Sequence, residues 1–138
     1  VRLEGATLAN LRATGAGLPG LRLAGARAPR SVWDAAGLAD LDARAADLPE
    51  ADFTGCDLAR ARFDLADLSG ALFDAAGLAG ARLVQANGLR ARFDRTDLTR
   101  ADLTGGNFYE CDLRDATIDG VAFPDAIVAS TRLARLLR

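Results

Sequence analysis

The side chains of this sequence best suited to chemistry are aspartates. Asp47, Asp52, Asp57, Asp67, Asp97, Asp102 and Asp112 are separated by multiples of five residues, and carboxylates in register are the raw material of general acid–base catalysis or of a calcium site. Either use requires them to converge in a cleft. The spacing instead reads as the outward polar slot of a repeat, in which each carboxylate bonds the backbone of its own turn. The sequence contains no histidine, which removes imidazole bases and histidine-ligated zinc. Cys56 and Cys111 are far apart and lack CxxC spacing, so they read as buried, reduced, inert thiols. No catalytic residue, cofactor or metal site is expected.

The elements that must position these residues follow from one period. Numbering slots one to five from Val1, the 27 slot-three residues from Leu3 to Leu133 comprise 14 Leu, six Phe and single Trp, Ile and Val, with Ala13, Ala28, Ala43 and Gly88 as the small exceptions. Slot one is Ala at 16 of 28 positions, all four prolines stand in slot four, and nine of the 14 glycines stand in slot five. Every charged residue except Arg138 lies in slots two, four or five, so slots one and three face inward. An α-helix would smear a period of five around its circumference, and a continuous strand would alternate its faces. A short extended segment followed by a turn at slots four and five satisfies the pattern, and its repetition winds a solenoid. Ala51 to Gly80 is the cleanest stretch.

The triplets Ala51-Asp52-Phe53, Ala66-Asp67-Leu68, Ala101-Asp102-Leu103 and Cys111-Asp112-Leu113 match the A(D/N)LXX signature. On these the chain resembles the pentapeptide-repeat proteins along nearly its whole length. The resemblance implies an all-β fold, a right-handed quadrilateral parallel β-helix with four pentapeptides per coil. That makes about seven coils and a rod of about 33 Å, read as one domain over residues 1–138. Residues twenty apart then stack, giving an inner column Ala13, Trp33, Phe53, Phe73, Phe93, Leu113, Leu133, in which Ala13 makes room for Trp33. In a second column Phe108 fills the gap left by Gly88. The N-terminal coils, with Ala28, Ala43, Pro19 and Pro29, are the expected weak points. Residues 129–138 are expected to form a short C-terminal capping or dimerisation helix, with Ser130 as its cap and Leu133, Leu136 and Leu137 on one face.

Function is read from the outward slots. With 17 basic residues against 19 acidic ones, the field draws neither nucleic acid nor membrane. No apolar run approaches the ~18 residues of a membrane span, and a cytoplasmic protein is the expectation. The start at Val1, already within the repeat, suits a piece of a longer chain. One face carries Arg2, Arg22, Asp42, Arg62, Arg82 and Asp102 in slot two, and its arginines are read mainly as partners of acids such as Asp64. Arg22, Arg62 and Arg82, with Tyr109 as the outward aromatic, are nevertheless the candidate interaction surface. The expected role is a non-enzymatic bacterial scaffold for protein–protein interaction, and a homodimer through the C-terminal leucines is what the resemblance implies for the gyrase-directed subgroup. The resemblance adds two alternatives: a DNA mimic directed at gyrase or another topoisomerase, and a repeat module of a secretion-adaptor or signalling protein. Since no face is acidic, the mimic is disfavoured.

Overall fold

The computed structural model describes residues 1–129 and 131, and its architecture follows from one backbone bonding rule. Each pentapeptide holds slots one to three extended and turns at slots four and five. Slot two is the only residue bridged on both sides, and every bridge is parallel and joins residues twenty apart, from Arg2 with Arg22 to Asn107 with Ile127. Four columns of bridges result, headed by Arg2, Thr7, Arg12 and Gly17, and they define four faces. Among the described residues no run extends into a continuous strand, because a turn every five residues leaves three extended residues, of which the middle one pairs. The C-terminal segment with Leu133, Leu136 and Leu137, expected to be helical, lies outside the described residues.

The bonding rule explains the composition of the slots. Within a coil the slot-one N–H bonds the preceding slot-three carbonyl, as Ala6 bonds Leu3 at 3.1 Å, closing the turn. Between coils, slot-three and slot-five N–H groups donate to the next coil, as Leu3 to Arg22 and Gly5 to Ala24, while slot-two N–H groups donate to the previous one, as Arg27 to Ala6. From Leu21 to Asp112 only the slot-four N–H has no backbone acceptor. Proline, which lacks that donor, is therefore free to occupy slot four, and Pro19, Pro29, Pro49 and Pro124 all do. Slot five adopts positive φ, between 53° and 70°, at every repeat from Gly5 to Asp125. Glycine suits this conformation. The remaining slot-five residues are Ala, Leu, Asn, Asp, Glu, Gln and Arg, and no β-branched residue, the type least tolerant of positive φ, stands there.

The core is the column of slots one and three. Trp33 lies parallel to Phe53 (centroids 6.2 Å apart), Phe53 to Phe73 (5.2 Å) and Phe73 to Phe93 (5.0 Å). Phe63 meets Phe53 and Phe73 edge-on. Burying each of these rings stabilises the stack by about 1.5–3 kcal/mol before ordering costs. Polar atoms admitted to the core are satisfied: the Trp33 indole donates to Ser31 Oγ at 2.8 Å. Thr96, Cys56 and Cys111, all in slot one, donate to the slot-three carbonyls of Phe73, Trp33 and Gly88, each 23 residues earlier. Phe108 occupies the space above Gly88, as the stacking arithmetic requires.

Candidate interaction surface

Most slot-two acids and amides give one oxygen to the turns they precede. Asp42, Asp52, Asp57, Asp67, Asp97, Asp102 and Asp112 each accept the slot-four N–H two residues on, at 2.9 to 3.3 Å. Asn87 and Asn107 do the same for Leu89 and Tyr109. These are Asx turns, which supply the one donor that the coil leaves open. Asp47 is the exception because Pro49 offers no N–H; its carboxylate faces Arg27 at 3.4 Å. At two slot-two arginines, Arg82 and Arg92, the acceptor comes from the coil beneath: Asp64 accepts the Val84 N–H (3.1 Å) and Asp74 the Asp94 N–H (3.2 Å). Sequence reasoning missed this second device, although a slot-four Asp followed 18 residues later by a slot-two Arg was its visible sign.

These bonds set the electrostatics. The Thr99 side chain and backbone N–H hold Asp97 below the ordinary aspartate range, the Thr104 hydroxyl does so for Asp102, and the Arg44 guanidinium for Asp42. Burial pushes the Cys56 thiol up to about 11 and the Cys111 thiol up to about 12. Both thiols are free and buried. No group of three or more acids or cysteines among the described residues is placed to hold a metal ion, and no helix there is long and apolar enough to cross a membrane. Shallow depressions of about 160 Å³ beside Pro29, Arg30, Pro49 and Glu50 and about 250 Å³ beside Phe123, Pro124, Asp125 and Ala126 lack converging polar groups.

The four surface residues singled out by sequence fall on two faces. Arg22, Arg62 and Arg82 share the Arg2 column, whereas Tyr109 follows the Thr7 column. Arg22 pairs with Glu4 at 2.7 Å, and Arg82 with Asp64 at 3.3 Å and Asp102 at 4.0 Å. Arg62 makes no ion pair among the described residues. Several pairs run along the rod between adjacent coils, including Arg60 with Asp40, Arg90 with Glu110 and Arg92 with Asp74. Tyr109 is 40% exposed. Sequence reasoning passed over two further apolar residues: Leu65, 63% exposed, and Ile127, 53% exposed. Both stand in outward slots, five and two, so the slot rule alone identifies them.

A chain coiled every twenty residues, its aspartates capping its own turns and its apolar slots stacked on the axis, is a solenoid of five-residue units. The chain matches the family described as pentapeptide repeats, in eight copies over residues 38–74, 66–108 and 91–127. Among solved structures, a pentapeptide-repeat protein from the thylakoid lumen of Arabidopsis thaliana is 30% identical, with a TM-score of 0.71 over 73% of this chain and 70% of that one. A pentapeptide-repeat protein of the cyanobacterium Cyanothece 51142 is 17% identical, with a TM-score of 0.50 over 91% and 90%. QnrB1, a plasmid-mediated fluoroquinolone resistance protein, is 18% identical, with a TM-score of 0.48 over 100% and 89%. A comparison with curated protein sequences returns no match. The chain belongs to the pentapeptide-repeat family, whose fold is the right-handed quadrilateral β-helix.

Proposed function

We propose that this protein is a non-enzymatic, cytoplasmic rod of about seven coils that works as a rigid scaffold, presenting its faces to other proteins. The observation that carries this reading is the engagement of the slot-two carboxylates, the strongest candidates for chemistry, by the slot-four N–H groups of their own turns. Groups committed in this way on a convex surface have no cleft in which to hold a transition state. Tagged protein tests the reading through paired variants. A stoichiometric partner lost with Tyr109→Ala or Arg62→Ala and kept with Ala59→Ser supports a face-specific scaffold. Binding that ignores every face contradicts it.

The gyrase-directed DNA mimic is the second reading, brought by family membership. Its requirement is a uniformly negative rod, whereas charge here is banded. Residues 81–100 carry Arg82, Arg90, Arg92, Arg95 and Arg100 against Asp94 and Asp97. The stretches 61–80 and 101–120 on either side are net acidic. Cross-coil ion pairs then join the bands. Gyrase supercoiling left unchanged by excess protein removes the mimic and leaves the scaffold reading standing.

A further inference from the structure

The C-terminal half of the Thr7 face is low in charge and carries the exposed tyrosine. Its slot-two column runs Asp67, Asn87, Asn107, Ile127, and its slot-four column runs Ser69, Leu89, Tyr109, Ala129. Slot-four side chains lean over the slot-two column of their own face: the Thr104 hydroxyl donates to Asp102, and Asp64 pairs with Arg82. Leu89 and Tyr109 stand on the same face, two residues after Asn87 and Asn107. The charged neighbours at this corner, Arg90 and Glu110, neutralise each other at 2.8 Å.

Two polar groups on the face are unspent. Asp67 Oδ1 accepts the Ser69 N–H and the Asn87 amide, at 3.0 and 3.4 Å, leaving Oδ2 without a partner among the described residues. The Asn107 carbonyl accepts the Tyr109 N–H at 3.1 Å, leaving its NH2 without one. They stand one coil below and one coil above Asn87, equally spaced. A two-fold axis perpendicular to the rod, lying in the face and running along the Asn87–Leu89 rung, exchanges these coils and sets each Arg90, paired with its own Glu110, beside its symmetry mate. It sets the free Asn107 donor of each copy on the free Asp67 acceptor of the other, twice. It also brings Tyr109 over the small Ser69 and Gly70 and places Leu89 on Leu89. At the rim, Ile127 falls beside Pro49 and Asp47, whose carboxylate faces Arg27. Both rods share the same rung spacing of about 4.8 Å, so every coil in the patch stays in register.

We propose that the protein self-associates as an antiparallel, two-fold dimer through this face, centred on Asn87 and Leu89. The arrangement is isologous, as closed dimers require. A patch five coils tall buries on the order of 1,000 Å² over both copies, at the bottom of the range for specific interfaces, so the dimer is weak and concentration-dependent. It is independent of the scaffold reading and of the C-terminal leucines. Sedimentation equilibrium over the micromolar to millimolar range tests it. The mass is expected to rise from 14.4 kDa toward twice that value, to stay at the monomer in Leu89→Arg, and to rise normally in Leu136→Asp. Under mild oxidation Leu89→Cys, close to its own symmetry mate, is expected to form a covalent dimer, whereas Ala59→Cys on the Gly17 face does not; the native thiols are buried. A monomer at every concentration overturns the proposal. A dimer that survives Leu89→Arg, or one lost only in Leu136→Asp, overturns it as well.

Discussion

Phe108 stands in the volume that a side chain on Gly88 would fill. A Cβ built on Gly88 lies 2.6 Å from Phe108 Cδ1, and one on Gly106 meets Phe108 Cε2. Neither glycine has the positive φ of slot five, so both are required by packing rather than by conformation.

Gly88→Ala and Gly106→Ala are therefore expected to destabilise the rod by about 1–3 kcal/mol each through overpacking. Phe108→Ala should cost about 3–5 kcal/mol through the cavity it leaves. In a double-mutant cycle, Gly88→Ala in a Phe108→Leu background should cost less than in the wild type. Denaturant unfolding of the four proteins measures this coupling, and additive losses would break the proposed contact.

The turn bonds predict a contrast between two similar aspartates. Asp67→Ala removes the acceptor of the Ser69 N–H and is expected to cost about 1 kcal/mol. Asp47→Ala removes only an exposed pairing with Arg27, and a loss within about 0.5 kcal/mol is expected. Equal losses at the two sites would contradict the Asx-turn assignment.

Acid should unfold the rod in a defined window. Asp42, Asp97 and Asp102 are held below their ordinary values by bonds that exist only in the fold. Their stabilisation is complete above the unfolded aspartate value of about 3.9 and is lost as pH falls through the lower folded values. The urea midpoint is thus expected to be flat from neutral pH to about pH 5 and to fall below about pH 4. Asn at positions 97 and 102 retains an acceptor and should blunt the fall. A decline beginning near neutrality would point to other groups.

Cys56 and Cys111 are expected to be silent toward a thiol reagent in the native protein at mildly alkaline pH, where burial keeps both protonated. Both should react at once in denaturant. Rapid labelling of either in the folded protein would show that its coil opens.

Much of this was legible in the sequence because one period governs inward and outward slots alike. The Trp33–Phe93 column and the Phe108–Gly88 complement follow from residue volumes and the twenty-residue stack. The bonding of slot-four N–H groups by Asp64 and Asp74 left a mark in the sequence, a slot-four Asp 18 residues before a slot-two Arg, but its meaning depends on which donor the coil leaves unpaired, and that emerges only once the carbonyls are placed. The Arg2 column and Tyr109 were read as one candidate surface, yet they lie on different faces. Standing in an outward slot says nothing about adjacency around the coil. Ser31 appears as a lapse in an alanine slot until the Trp33 indole is found bonded to it.

Every pairing named above rests on the twenty-residue register, and an engineered disulfide tests it most directly. Arg62 and Arg82 are bridged across adjacent coils, so the double variant Arg62→Cys, Arg82→Cys is predicted to form an intramolecular disulfide on mild oxidation, within the Cα separation of about 4.4–6.8 Å that such bonds need. Arg62→Cys with Asn87→Cys, one pentapeptide further on and around the corner, is predicted to remain reduced under the same conditions. Peptide mapping that finds the second pair linked and the first free would contradict the register, and with it the assignment of every face.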